Sequence, residues 1–160
     1  MIIRTAVPED LPGVTEVERR CFPEAEAATE EEFRKRLQVY PNHFWIMEEE
    51  GKIISFINGM VVDDSTIRDE MYENAFLHNE DGQWQAVFGV NTIPEYRNRG
   101  CAAAVMHRVI EDARAQGRRG CILTCKEALI HYYEKFGYKN YGVSASVHGG
   151  ALWYDMRLEF

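Results

Sequence analysis

The chain has 160 residues, of which 46% are hydrophobic and 28% are charged, a composition typical of a soluble globular protein. Its formal net charge is −8 at pH 7, which argues against a nucleic-acid partner because phosphate backbones bind basic surfaces. The acidic balance suits a cationic substrate such as an amine, although solubility alone also accounts for this charge.

The sequence contains no apolar run of membrane-spanning length, and its first eleven residues lack the basic, apolar and small-residue blocks of a signal peptide. We therefore expect a single domain over residues 1–160, located in the cytoplasm without a membrane partner, and present as a monomer or a homodimer.

The four cysteines show no metal-like spacing. Because Cys121 and Cys125 stand four apart in a predicted strand, they are too distant to form a disulfide. We expect reduced thiols and no bound metal.

Hydrophobic periodicity predicts seven strands and five helices, with no repeat or linker between them. The strands are expected at residues 1–7, 43–50, 51–62, 82–93, 120–125, 141–147 and 151–160. The helices are expected at residues 8–22, 28–40, 65–76, 101–117 and 127–137. Thr29 and Glu32 have the spacing of a capping box at the start of the second helix, and Ser65 or Thr66 would cap the third. This order predicts an α/β (α+β) fold: a mixed, mostly antiparallel central sheet of about seven strands, flanked by four or five helices.

The most informative segment is RNRGCAA at residues 97–103, which joins a predicted strand to a predicted helix. The first N–H groups of a helix have no intrahelical partners and attract anions. Gly100 permits backbone angles that are closed to other residues, and the small residues after it allow a ligand to approach the backbone. Arg97 and Arg99 add positive charge. The turn therefore favours a pyrophosphate site, with a plain helix start after a loop glycine as the alternative.

The segment RNRGCA resembles the R/Q-x-x-G-x-G/A motif of the GNAT acyltransferase superfamily, with Arg97, Gly100 and Ala102 at its defined positions. Within that superfamily, the chain is most similar to the arylalkylamine (serotonin) N-acetyltransferase family. The similar segments are EVERRCFPE, GKIISFINGMV, CKEALIHYYEKFGY and VHGGALWYDM. The resemblance spans nearly the whole chain. It implies a GNAT fold and the acetyl-CoA-dependent transfer of an acetyl group to a primary amine, by direct attack of the amine.

The resemblance also implies where acetyl-CoA binds. Its pantetheine arm would lie along the strand before the glycine turn, at Val90, Asn91 and Thr92. Its pyrophosphate would meet Arg97 and the backbone of Asn98, Arg99, Gly100, Cys101, Ala102 and Ala103. Cys125 would lie near the path of the coenzyme, and we interpret it as a packing residue rather than an acetylated nucleophile.

Tyr133 aligns with the tyrosine that this family uses as a general acid toward the coenzyme sulfur, and an unperturbed phenol is protonated at neutral pH. Tyr132 is the alternative, because a shift of one residue exchanges the two. The family's histidine pair is replaced here by Ala86 and Phe88, neither of which can carry a proton. The open alternatives for the base are a chain of waters and the side chains of His78, His131 and Glu127.

For the acceptor site, the resemblance points to the first helical region and the strand hairpin. Phe22 and Phe56 are expected to form an apolar wall, and Glu24 and Glu26 to attract a protonated amine. The glutamates at 30–32 fit better as a solvated helix start. The expected acceptor is a small (arylalkyl)amine. A protein or peptide amine, or a non-catalytic acyl-CoA sensor, remains the alternative.

Overall fold

The computed structural model describes all 160 residues and contains nine strands and five α-helices. The strands are β1 (Ile2–Thr5), β2 (Phe44–Glu49), β3 (Lys52–Asn58), β4 (Val61–Val62), β5 (Trp84–Val87), β6 (Gly89–Thr92), β7 (Gly120–Cys125), β8 (Lys139–Val143) and β9 (Tyr154–Glu159). The helices are α1 (Leu11–Cys21), α2 (Glu30–Val39), α3 (Glu70–Glu73), α4 (Cys101–Ala115) and α5 (Ile130–Glu134). The predicted mixed α/β class is confirmed, with two strands more than expected. No helix combines the length and the apolar character needed to cross a membrane.

The strands form two sheets, with the orders β1-β2-β3-β6 and β4-β5-β7-β9-β8. Only the β5–β7 pair is parallel, and every other pair is antiparallel. The two extra strands arise because the predicted strand at 51–62 divides into β3 and β4, and the one at 82–93 divides into β5 and β6. Each division sends the two halves to different sheets.

The division at Phe88 creates the central feature of the fold. On one side of it, β5 pairs with β7 as far as the contact of Val87 with Leu123. On the other side, β6 leaves β7 and pairs with β3, where Thr92 faces Ser55. Because β6 and β7 then have no hydrogen bonds between them, the two sheets diverge from Phe88 onward and leave a gap between these two strands. Such a gap exposes unpaired backbone groups along one edge of β6.

Helices cover both faces of the first sheet. Phe44 and Trp45 are neighbours on β2, so their side chains point to opposite faces. Phe44 packs against Phe33 of α2, with 6.0 Å between ring centroids. On the other face, the indole Nε1 of Trp45 donates a hydrogen bond to Asp112 of α4 (2.8 Å). The apolar core therefore has two layers, and α1 packs on α2 and on β3 and β6.

The local helix signals were only partly reliable. The predicted capping box is confirmed, since Thr29 Oγ1 accepts from the Glu32 N–H (3.2 Å) and Glu32 Oε1 accepts from the Thr29 N–H (2.9 Å). The predicted helix at 65–76 is wrong: only α3 and a short 3₁₀ turn at Ala75–Leu77 form there. Instead of continuing a helix, Asp69 accepts hydrogen bonds from the Ser146 hydroxyl and the Val147 N–H (3.0 Å). That contact ties the segment to the loop between β8 and β9.

Candidate active site

An open cleft of about 590 Å³ lies where β6 leads into α4. It is lined by most of the residues that the resemblance assigns to coenzyme binding: Val90, Thr92, Arg97, Asn98, Gly100, Cys101, Ala102 and Ala103. Arg99 lies outside the cleft at the surface, with its guanidinium carbon 4.9 Å from the ring centroid of Tyr96. The side chain of Asn91 is buried and donates a hydrogen bond to Glu18 instead (3.1 Å).

The backbone at the start of α4 is shaped to receive an anion. Gly100 is the N-cap residue with φ 77°, and Asn98 also has a positive φ of 63°. No side chain caps the helix, so its first N–H groups remain available. A Cβ on Gly100 would meet no atom within 4 Å, which means that the space in front of the turn is open. Arg97 anchors the turn to the end of β6 by donating from Nε to the Thr92 carbonyl (3.0 Å).

Behind the cleft, an inner cavity of about 100 Å³ occupies the gap between the two sheets. The cleft and the inner cavity share the lining residues Phe22, Val90, Leu129 and Tyr133, so they are two parts of one site. The inner cavity is further lined by apolar and aromatic side chains and by a few polar ones. The polar or charged ones are Glu18, Glu26, Glu32, Arg36, Asn58, Tyr72, Thr124 and His148.

Tyr133 lies at the junction of the two compartments. Its side chain is 6% exposed and lines both of them, whereas Tyr132 lines only the open cleft. Burial raises the pKa of the Tyr133 phenol well above its ordinary value, so the hydroxyl stays protonated and able to donate. Burial likewise raises the pKa of the Cys125 thiol to about 11. Because the thiolate is the nucleophilic form, this favours the interpretation of Cys125 as a packing residue.

Glu18 places a carboxyl group in the inner cavity, although it is only 5% exposed. Its Oε2 accepts from the Ala28 N–H (2.9 Å) and its Oε1 accepts from Asn91 Nδ2 (3.1 Å). Desolvation by burial raises the pKa of Glu18, and the two hydrogen bonds and the nearby Arg36 only partly oppose that rise. The carboxyl group is therefore held in place and binds a proton more tightly than an exposed glutamate.

Arg36 brings a buried positive charge to the same cavity. It is 3% exposed and donates from its terminal nitrogens to Asn58 Oδ1 (3.0 Å) and to the Tyr72 carbonyl (2.7 Å). The rings of Phe33 and Phe88 lie 5.4 and 5.1 Å from its guanidinium carbon. All of these partners are uncharged.

Two loops form a roof over the inner cavity. The ring Nε2 of His148, in the β8–β9 loop, donates to the carbonyl of Glu26 in the α1–α2 loop (2.8 Å). Because a carbonyl oxygen only accepts, Nε2 carries the hydrogen, and the lone pair of the neutral ring is on Nδ1. The ring stacks on Tyr72 at 4.5 Å, and the Glu26 carboxylate pairs with Lys126 (2.8 Å). Gly149 lies so close to the α1–α2 loop that a Cβ there would stand 2.6 Å from Glu26.

Comparison with known proteins identifies the family and the fold. Residues 11–138 match the sequence profile of the Acetyltransferase (GNAT) family. The chain belongs to this family. It is 25% identical over 158 residues to serotonin N-acetyltransferase from Mesocricetus auratus, covering 96% of this chain and 75% of that protein. It is 28% identical over 104 residues to N-acetyltransferase 8 from Homo sapiens, covering 63% of this chain and 40% of that protein.

Among solved structures, the chain is similar to the GphF GNAT-like decarboxylase in complex with isobutyryl-CoA, with a TM-score of 0.85 at 19% identity over 99% of both chains. As a GNAT acetyltransferase, the protein is an acyltransferase that uses an acyl-CoA. The open cleft fits such a molecule, because it combines uncapped N–H groups, the open space at Gly100 and the free edge of β6. The first two suit a pyrophosphate and the last suits an extended amide chain.

The two compartments do not include every residue that the sequence suggested for the acceptor. Phe22 and Glu26 line the inner cavity, as expected. Glu24 is exposed and lines neither compartment. Phe56 is completely buried in the core, stacked on Phe44 with 6.3 Å between centroids, because its side chain points to the α2 face of the first sheet. It contributes to the core and not to a pocket wall.

The three side chains left open as the base also lie outside the inner cavity. Glu127 is exposed, and His131 is an exposed residue beside Glu134 on α5. His78 belongs to a separate cluster with the buried His43 and the exposed Glu80, and the potential metal-binding atoms of the three all lie within 4.8 Å of one another. Of the two residues replacing the histidine pair, Ala86 is buried in β5 and Phe88 packs on Tyr72 in the cavity wall.

The hydrogen bonds of the histidine cluster favour a structural network over a metal site. His78 Nδ1 accepts from the Val61 N–H (2.9 Å), so the hydrogen of the neutral ring is on Nε2. That Nε2–H donates to Glu80 Oε1 (2.9 Å) and leaves no lone pair on Nε2 for a metal. Burial lowers the pKa of His78, which keeps the ring neutral.

Among the polar residues of the cavity that the sequence interpretation missed are Glu18, Arg36 and His148. For two of them, the sequence contains a pattern that could have identified them. Glu18 is four residues after the buried Val14, and Arg36 is three after the buried Phe33, so each belongs to the apolar face of its helix. A charge on a buried helical face is unusual, which makes such a residue a candidate for a functional position. His148 lies in a loop and has no such periodic signal.

Proposed function

We propose that this GNAT acetyltransferase transfers the acetyl group of acetyl-CoA to the nitrogen of a small primary amine. The observation that carries the proposal is the roofed inner cavity, which meets the open cleft at Tyr133. A recessed cavity covered by two loops suits a small molecule, whereas a polypeptide acceptor needs an open groove beside the reacting atoms. The aromatic walls formed by Phe88, Tyr72 and Trp153 suit an aryl or alkyl group on the amine.

The open cleft would hold acetyl-CoA, which supplies an activated thioester when bound. The N–H groups at the start of α4 and the side chain of Arg97 would contact its pyrophosphate. The edge of β6 that has no strand partner offers backbone donors and acceptors at Val90 and Thr92 for the amides of the pantetheine arm. All of the residues given these roles line the open cleft.

Glu18 is placed to receive the proton that a protonated amine must lose before it attacks. Its Oε1 lies 3.5 Å from the position of a Cβ on Gly89, beside Val90, and so close to the point where the cleft opens into the cavity. Burial raises the pKa of its carboxyl group, and a base works best when its pKa is near the operating pH. Its hydrogen bonds to Ala28 and Asn91 fix its orientation.

Tyr133 would supply the second proton. As the amine nitrogen bonds to the acetyl carbon, the carbon–sulfur bond breaks and the sulfur takes the electron pair. The Tyr133 hydroxyl, which stays protonated because it is buried, donates its proton to that sulfur and regains one from solvent. The nitrogen loses a second proton as the amide forms, and this proton and the one taken by Glu18 both pass to solvent. Because Tyr133 takes one proton back from solvent, the reaction releases one proton overall from an ammonium acceptor.

The proposal is tested by measuring release of the coenzyme A thiol at saturating acetyl-CoA with a panel of acceptors. The panel contains tryptamine, phenethylamine, spermidine, several amino acids, and peptides with a free N-terminus or lysine. We expect kcat/KM for the best small amine to exceed that for every peptide. Faster turnover of peptides would show that the roof opens to a protein acceptor. No turnover with any amine, together with tight binding of acetyl-CoA, would indicate a sensor.

A further inference from the structure

The buried guanidinium of Arg36 has no negative partner in the protein. Its hydrogen bonds go to a side-chain amide and a backbone carbonyl, and no salt bridge of the structure includes it. Burying a charge without a counter-charge is costly, so fully buried arginines are usually paired with a carboxylate. The guanidinium has five N–H donors, of which the protein uses two.

Glu18 does not neutralise Arg36, although both line the inner cavity. The nitrogen and oxygen atoms of the pair do not come within salt-bridge distance, and both Glu18 oxygens accept from neutral donors. Separate hydrogen bonds therefore hold the two groups apart: Asn58 and Tyr72 position the cation, and Ala28 and Asn91 position the carboxyl group. Of the other two carboxylates of the cavity lining, Glu26 pairs with Lys126 and Glu32 accepts from Thr29. The cavity thus presents the unpaired Arg36 cation and the Glu18 carboxyl group to the same small molecule.

We propose that the acceptor amine also carries a carboxylate, which binds Arg36 while its ammonium faces Glu18. The proposal rests on the proposed function and narrows its acceptor to an amino acid or an amino-acid derivative. Two parallel hydrogen bonds from a guanidinium match the geometry of a carboxylate, and they are strong because both groups are charged. The ring of Phe88 lies 5.1 Å from the Arg36 guanidinium carbon, and Tyr72 and Trp153 line the same cavity. These aromatic walls then receive an apolar or aromatic side chain of the acceptor.

Matched pairs of acceptors measure the contribution of the carboxylate directly. We expect phenylalanine to exceed phenethylamine, and tryptophan to exceed tryptamine, by about 10–100-fold in kcat/KM, the range for a hydrogen bond to a charged group. A ratio near one, with good turnover of the amines, would overturn this inference and leave the proposed function standing. No turnover of any small amine would instead contradict the proposed function.

Two variants test whether Arg36 is the group that binds the carboxylate. Asn58→Asp keeps the hydrogen bond from Arg36 and adds a fixed carboxylate beside it. We therefore expect the variant to fold, with its own aspartate occupying the site where the carboxylate of the acceptor would bind. We expect the acid-to-amine ratio to fall by about tenfold or more in this variant. Arg36→Met should abolish the ratio, provided that circular dichroism and thermal melts show a folded protein.

Arg34→Met is the matched control, because Arg34 lies on the same helix, is exposed, and pairs with Glu30 and Glu31 at the surface. It should leave the ratio unchanged. An unchanged ratio in a folded Asn58→Asp variant would overturn the assignment of Arg36.

A final experiment replaces acetyl-CoA by succinyl-CoA and uses amines without a carboxylate as acceptors. Preference for that pair would place the carboxylate on the acyl group and would also overturn the proposal.

Discussion

Replacing Glu18 by glutamine separates the catalytic role of its carboxyl group from its structural role. The change keeps the size and shape of the side chain, and its carbonyl oxygen can still accept from the Ala28 N–H. The other partner, Asn91, has a buried Oδ1 without a hydrogen-bond partner. If the Asn91 amide rotates, this Oδ1 accepts from the new amide nitrogen, so the local hydrogen bonds survive. We therefore expect a folded variant.

The variant should lose activity because an amide cannot take the proton of the amine. Loss of a general base typically lowers the rate by ~10²–10⁴. The fall should appear mainly in kcat when the pH is below the pKa of the acceptor ammonium. In the unchanged protein, the low-pH limb of the kcat/KM profile should reflect the raised pKa of Glu18, and this limb should disappear in the variant.

The same substitution should increase stability at neutral pH. Burial raises the pKa of Glu18 above its unfolded value of 4.5, so the folded state binds the proton more tightly than the unfolded state does. The corresponding stability is fully present below that value and is lost as the pH rises through the folded pKa. Each unit of the rise corresponds to about 1.4 kcal/mol. Glu18→Gln removes this loss, so the gain in Tm over the unchanged protein should grow as the pH increases from about 4 toward neutrality.

Thermal melts between about pH 4 and pH 8, together with pH profiles of kcat/KM, provide the measurement. Glu24→Gln is the control, since Glu24 is exposed and lines neither compartment. It should change neither rate nor Tm appreciably. Retention of full activity by Glu18→Gln would refute Glu18 as the base, and His148, whose ring Nδ1 carries the lone pair, would be the next side chain to test. A Tm difference that does not depend on pH would refute the linkage argument.

Tyr133→Phe should lower kcat by ~10²–10⁴ with little change in the Kd of acetyl-CoA, while Tyr132→Phe stays within a few-fold. The reverse order would show that Tyr132 is the acid. Gly100→Ala and Gly117→Ala should each cost about 1–2 kcal/mol in stability, because both glycines have a φ near 78° with open space around them. Only Gly100→Ala should weaken binding of coenzyme A in a calorimetric titration, and equal affinity in both variants would argue against the phosphate site. Acetyl-CoA at 100 times its Kd should stabilise the unchanged protein by about 2.7 kcal/mol, and an unmoved melt would contradict binding in the open cleft.

The sequence predicted those parts of the fold whose causes are local. The capping box of α2 involves residues three apart, and the helix start at Gly100 follows from one positive φ and an uncapped turn. The break at Phe88 could not be predicted in this way, because apolar residues continue on both sides of it from Trp84 to Val90 and no proline interrupts the segment. The break exists because β5 and β6 find different partners, β7 and β3, which are distant in the chain.

The distinction between local and long-range contacts also separates the open cleft from the inner cavity. The open cleft is built largely from one continuous segment, so the residues of its glycine turn were predicted correctly as neighbours. The inner cavity is assembled from contacts across the chain, such as Glu18 with Asn91 and His148 with Glu26, separated by 73 and 122 residues. Phe56 shows what the pattern of a single strand cannot predict. Alternation indicates which residues of the strand share one face of the sheet with Phe56, but it does not indicate whether a helix or a cavity lies over that face.

The arrangement of Glu18 and Arg36 shows why such a cavity is better explained by a ligand than by folding. Had the two groups formed a buried ion pair, each would have satisfied the other, and the pair would have needed no further partner. Each is held instead by neutral groups, and burial keeps the pKa of the Glu18 carboxyl group raised because no ion pair offsets the desolvation. The protein thus loses stability at neutral pH in order to keep the two groups apart, a cost that selection tolerates where binding or catalysis requires it. A zwitterionic acceptor supplies what both groups lack, an anion for one and a proton donor for the other. Occupation of the cavity should therefore stabilise the fold beyond the contribution of acetyl-CoA alone.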